Sequence, residues 1–339
     1  MKIFTWQSAL LALQLCLTGV EAGFRAKSCQ VWPRRTIPYC FQANSISTKT
    51  KDRVKSAFGL WESKGAPATF INTGNCEDPA SPDYLADILV VREIVGADFM
   101  SSTVGYRGPG YEQSLTIGTF YDFHKLRVTN SDWVGAIAHE IGHVMCLLNE
   151  NQRPDLKSQL DLKCKNTIEY RRAAPNDREK VMKACGDIRE AATRKMWGPF
   201  QYVFYPNSDH LIKSDNVDWG SIMLQDGKAF SSRGKVITKT DGSSLKSSWK
   251  DGPSDGDISF LKTFWNEDSA PPLPPRPVGE PAYPPPLPAR PQENPLYPPP
   301  LPLSDEADPF EAVPPYNAVD PNAPPRYGAD IVENAYVCV

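Results

Sequence analysis

The chain has 339 residues, 37 of them basic and 40 acidic, for a formal net charge of −3. That balance excludes a global electrostatic pull toward nucleic acid, and the length allows one large domain or two ordinary ones. After the N-terminal segment, no apolar run approaches the length a membrane-spanning helix needs.

Lys2 precedes the apolar run "SALLALQLCL" (8–17), and "GVEA" follows with small residues at Val20 and Ala22. This order predicts a signal peptide over residues 1–22, cut after Ala22, with no propeptide behind it. The run is too short for an anchor and contains Gln14. The expected product is soluble, secreted and extracellular, a setting in which cysteines pair. Cys29 with Cys40 and Cys164 with Cys185 are the favoured pairs, and Cys338 is the expected leftover. Spacing alone does not determine connectivity.

"TIPYCF" (36–41) reads as an edge-like strand. "KTKDRVKSAFGLWES" (49–63) places Val54, Phe58 and Trp61 on one helical face. "ADILVV" (86–91) and "SLTIGTF" (114–120) read as strands. "SDWVGAIAHEIGHVMCLL" (131–148) predicts a helix with Ser131 as N-cap and an inward stripe of Val134, Ile137, Ile141, Val144 and Leu148. The mixture points to an α+β domain over 23–266.

From Glu267 the composition changes. Of the 33 prolines, 22 lie at or after Pro271, and the tail's net charge of −8 leaves about +5 for the rest. Leu273, Leu287 and Leu301 mark a fourteen-residue repeat. Residues 267–339 are expected to be a disordered, Pro-rich acidic tail of polyproline II character. "PPLPPR" (271–276) and "PPLPAR" (285–290) fit the P-x-x-P-x-Arg pattern of SH3 ligands. The alternative for an exported chain is a stiff spacer, and that reading is preferred.

The chemistry lies in "HEIGH" (139–143). Residues four apart on a helix share a face, so His139 and His143 can direct two imidazole nitrogens at one Zn²⁺. Glu140 beside them is placed to move a proton from metal-activated water to a leaving amine. Two such histidines also occur for packing alone, so the motif needs support. It comes from Asn149, Glu150, Arg153 and Asp155, and from "DWGSIMLQDGKAF" (218–230).

Together these residues resemble the astacin family of zinc endopeptidases in the metzincin clan, whose pattern is HExxHxxGxxHExxRxD followed by a Ser-x-Met-His-Tyr turn. His139, Glu140, His143, Glu150, Arg153, Asp155, Ser221 and Met223 match it. The resemblance implies a two-lobed domain with a twisted five-stranded sheet and an active-site helix. It also implies one Zn²⁺ per chain, an extended polypeptide substrate, and a floor under the metal made by Met223. "SLTIGTF" resembles the substrate-pairing edge strand. The resemblance further implies that the mature N-terminus, here Gly23, inserts within direct or water-bridged reach of Glu150, with Trp32 leading into the first strand.

The departures are as informative. Asn149 stands where a third histidine is expected, and a neutral amide oxygen is a poorer zinc ligand than imidazole. His124 and His210 lie off ligand spacing, though His210 precedes the methionine turn. Cys146 stands where the family has a turn glycine, predicting strain or a different turn. Gln225 replaces a tyrosine and is the candidate oxyanion donor. Residues 156–217 hold an insertion. The expected function is zinc-dependent peptide hydrolysis; the alternative is a catalytically degenerate scaffold acting as a binding protein.

Overall fold

The computed structural model describes residues 23–42, 46–76, 87–97, 99–108, 111–119, 129–206 and 209–267. The expected signal peptide, His124, the proline-rich tail and Cys338 lie outside the described residues.

The N-terminal strand β1 (Phe24–Ala26) precedes β2 (Thr36–Gln42), β3 (Thr69–Cys76), β4 (Leu89–Val95), β5 (Met100–Ser102) and β6 (Gln113–Thr119). Five of these form one sheet in the order β3-β2-β4-β6-β5, parallel except for β5. Along β2, Ile37, Tyr39 and Phe41 enter the main core while Cys40 joins Cys76 and Val90 on the other face. β2 is therefore an interior strand, not the edge-like one expected. β6 is interior too, because it pairs with β4 on one side and β5 on the other. Among the described residues the sheet ends at the short β5, which takes the edge position expected of "SLTIGTF".

Two long helices pack together against this sheet. Helix α1 (Thr48–Ser63) is capped by Ser47, whose hydroxyl accepts the Thr50 N–H, and it buries Val54, Phe58 and Trp61. Trp61 Nε1 donates to Ala138 O at 2.8 Å, pinning α1 to helix α2 (Asn130–Val144). The N-cap of α2 is Thr129 rather than Ser131, because Thr129 and Asp132 close a reciprocal capping box. Val134, Ile137, Ile141 and Val144 are buried as the stripe requires. Each such side chain contributes about 1.5–3 kcal/mol of burial.

Beyond α2 the chain is less regular. The insertion forms β7 (Leu160–Leu162) and short helices α3 (Ile168–Arg172), α4 (Arg178–Ala184), α5 (Ile188–Thr193) and α6 (Trp197–Tyr202). Strand β8 (Leu211–Lys213) pairs with β1, and β9 (Ile237–Lys239) with β7. Helix α7 (Asp255–Glu267) returns Ile258, Phe260, Leu261, Phe264 and Trp265 to the main core.

The cysteines pair as Cys29–Cys146, Cys40–Cys76 and Cys164–Cys185. The last, inside the insertion, matches expectation. The expected Cys29–Cys40 pair does not form. Cys40 sits mid-strand facing β3 and β4 on the side away from the main core, while Cys29 precedes β2 and belongs to that core beside the end of α2.

Candidate metal centre

His139 and His143 project from α2 with ring centroids 4.9 Å apart and planes nearly perpendicular. His139 Nδ1 lies 2.8 Å from Ile222 O, and His143 Nδ1 lies 2.7 Å from Leu147 O. Backbone carbonyls only accept, so each Nδ1 carries a proton and Nε2 is the nitrogen that faces a metal. Burial holds the His139 pKa down to about 3, with the charge of His143 acting in the same direction. The imidazole is therefore neutral, as a metal ligand must be.

The carbonyl that orients His139 is itself held by α7. Asp257 accepts from Ile222 N at 2.9 Å, from Ser221 Oγ at 2.6 Å and from Ser254 N at 3.0 Å. Burial raises its pKa to about 6 against these stabilising bonds. Met223, the next residue, packs against α2 so closely that a Cβ at Gly142 would overlap its sulfur. The Ser221–Ile222–Met223 turn thus supports both the orientation and the floor of the histidine pair.

Glu140 is fixed by β5. Ser102 Oγ contacts Glu140 O at 2.8 Å and Glu140 Oε2 at 2.9 Å. Burial raises the carboxyl's pKa, and His143 and Ser102 oppose the rise. Trp249 lies over the opposite side, its ring 5.5 Å from that of His139.

Asn149, 5% exposed, donates through Nδ2 to Gln152 Oε1 at 2.8 Å and Gln201 Oε1 at 3.0 Å, leaving its buried Oδ1 with no hydrogen-bond partner. Its backbone is extended rather than left-handed, because α2 has already ended at Val144. The left-handed residue is Cys146, at φ 81°. The sharp turn is therefore kept without glycine, and the disulfide to Cys29 anchors it. Gln225 Nε2 approaches His139 Nε2 at 3.4 Å and donates to Gln201 Oε1 at 3.2 Å.

No cluster of three His, Cys, Asp or Glu side chains suited to a metal exists among the described residues. The donor set that fits is two imidazole Nε2 atoms plus the unpartnered amide oxygen of Asn149, and zinc accepts nitrogen and oxygen ligands alike. His210 does not join the set; its carbonyl accepts from Lys27 N where β8 meets β1.

Glu150 is buried, and Arg153 Nη1 and Asp218 N donate to its Oε1 at 2.8 and 3.2 Å. Burial raises its pKa to about 7, opposed first by Arg153. Gly23 N donates to Ser214 Oγ at 2.9 Å, and Arg153 Nη1 reaches the same oxygen at 3.1 Å. The N-terminal segment therefore approaches Glu150 through Ser214 and Arg153.

The sequence model of the family "Astacin (Peptidase family M12A)" matches residues 24–186. Residues 24–186 form an astacin domain. Residues between Ile188 and Trp265 contribute side chains to the same core. Among solved structures, high choriolytic enzyme 1, a hatching enzyme zinc-protease from Oryzias latipes (medaka fish), is 19% identical with a TM-score of 0.46. That match covers 71% of this chain and 96% of the other. Myroilysin is 19% identical with a TM-score of 0.47, covering 72% and 98%. A search of curated proteins gave no match.

Sequence reading singled out His139, Glu140, His143, Asn149, Glu150, Met223 and Gln225; it missed Ser102, Gln152, Gln201, Trp249 and Asp257. For Asp257 a signal existed. Ser254-x-x-Asp257 is a capping box before an apolar run, and Asp257 N does donate to Ser254 Oγ.

Proposed function

We propose that this astacin domain is an exported zinc-dependent endopeptidase, with His139, His143 and Asn149 as donors and Glu140 as general base. The observation that carries the reading is the pair of imidazoles, each held at Nδ1 by a backbone carbonyl, on the same helix turn as a buried carboxyl. When bound, zinc supplies Lewis acidity toward water and the scissile carbonyl.

The chain's own residues do the rest. Glu140, steadied through Oε2 by Ser102, takes a proton from the attacking water and returns it to the departing amine nitrogen. The Gln225 amide offers an N–H donor beside His139 for the developing oxyanion. An extended polypeptide pairs with the outer edge of β5, which brings its backbone next to Ser102 and Glu140. Three disulfides suit an exported protein.

Glu140→Gln tests this. The variant should keep its fold and its zinc yet lose cleavage of a denatured protein by about 10²–10⁴-fold. Equal, slow cleavage by both proteins would instead favour the degenerate binding scaffold.

A further inference from the structure

An amide side chain can turn over in place, exchanging oxygen and nitrogen, so which end of Asn149 faces the histidines is a chemical question. The surroundings answer it. Gln152 Nε2 lies 2.7 Å from Phe200 O and 3.0 Å from Val203 O, both backbone carbonyls of α6 and its end. Carbonyls cannot donate, so the nitrogen of Gln152 must face them and its oxygen must face the other way. That oxygen meets Asn149 at 2.8 Å, so the Asn149 nitrogen must be there. The second Asn149 hydrogen goes to Gln201 Oε1, which also accepts from Gln225. With both hydrogens spent, the Asn149 oxygen can only point out of the network. It is buried without a hydrogen-bond partner, at a joint whose Gln225 amide reaches His139 Nε2 at 3.4 Å.

Asn151 strengthens the same joint. Its Nδ2 donates to Gln201 O at 3.0 Å and its Oδ1 accepts from Gln225 N at 3.2 Å. The inserted helix α6 is thus fastened to residues 149–152 at several points.

We propose that Gln152 and Gln201 are positioning residues that lock Asn149 with its amide oxygen toward the histidine pair, so that the insertion completes the metal centre. The inference rests on the donor set proposed above. A histidine in this place would carry its donor on a rigid ring, whereas asparagine has two chemically opposite ends and needs a neighbour to choose between them. Outer partners of metal ligands typically change metal affinity by about 10–100-fold.

The test is zinc affinity of the full chain, by competition with a chromogenic chelator, for wild type, Asn149→Ala, Gln201→Met and the double variant. Gln201→Met should weaken binding about 10-fold or more. The double variant should bind no more weakly than Asn149→Ala, because Gln201 acts only through Asn149. Gln201→Glu keeps an acceptor for Asn149 and should hold affinity at or above wild type, and it carries the test if Gln201→Met does not fold. Wild-type affinity in Gln201→Met overturns the positioning role alone. So does an equal further loss on adding it to Asn149→Ala, or a loss in Gln201→Glu as large as that in Asn149→Ala. No zinc on wild type, or undiminished zinc on Asn149→Ala, overturns the donor set and the positioning role with it.

Discussion

Asp257 shows how a single residue can serve a site it does not touch. Its carboxylate gathers two donors from the turn that orients His139, Ser221 Oγ and Ile222 N, and a third, Ser254 N, from the start of its own helix. Because its folded pKa, about 6, lies above the ordinary aspartate value, the folded state holds its proton more tightly than the unfolded chain does. Its contribution is therefore fully present below pH ~4 and is lost as pH rises through about 6, by up to ~3 kcal/mol. His139 runs the other way: its depressed pKa makes the fold more stable as pH rises from about 3 toward the ordinary histidine value. Asp257→Asn isolates the first effect. In metal-free protein, wild-type stability minus that of the variant should fall between pH ~4 and ~6 by chemical denaturation; a flat difference would mean that Asp257 is ionised throughout. At this scale the HExxH core was legible because both histidines and the glutamate lie within one helical turn and a half. Gln201 was not, since nothing around it in sequence announces a partner 52 residues away.

Among the elements, the turn after α2 is the most altered. Cys146 occupies a left-handed conformation that costs an ordinary residue about 1–2 kcal/mol. The disulfide to Cys29 and the Cys146 N–H bond to His143 O at 2.8 Å keep it there. With the bridge removed, glycine should suit this position better than serine. Cys29→Ser/Cys146→Gly is expected to exceed Cys29→Ser/Cys146→Ser in stability by about 1 kcal/mol, measured by denaturant unfolding. Equal stability would mean that the turn relaxes once the bridge is gone. Sequence periodicity located the helices and strands well but misjudged which strands lie at an edge. Edge position depends on neighbours in space, and of the two end strands, β3 and β5, the latter is three residues long, too short to show alternation. The partner of Cys29 was misjudged for the same reason. The Cys29–Cys146 bridge spans 117 residues, and only the assembled core brings its halves together.

Among the described residues, the first and last segments meet at the centre. Phe24 O accepts from Leu148 N at 2.8 Å, Trp32 Nε1 donates to Val144 O at 3.0 Å, and Trp265 Nε1 donates to Met145 O at 3.4 Å. Release of a free amine at Gly23 would place a second cation near Arg153 and its buried partner Glu150. Glu150→Gln should therefore destabilise the cleaved protein by about 3 kcal/mol, and by less in a form that keeps residues before Gly23. Equal losses in the two forms would show that the amine does not engage Glu150. The position of α7 also bears on the order in which the site is completed during synthesis. Asp257 and Trp265 leave the ribosome more than a hundred residues after His143, and until then the Ile222 amide lacks its Asp257 partner and Met145 O its Trp265 donor. A nascent or prematurely terminated chain thus carries the full zinc motif without the scaffold that aims it. Under the proposed function, hydrolysis would then await α7, and a chain that stops before it would be inert.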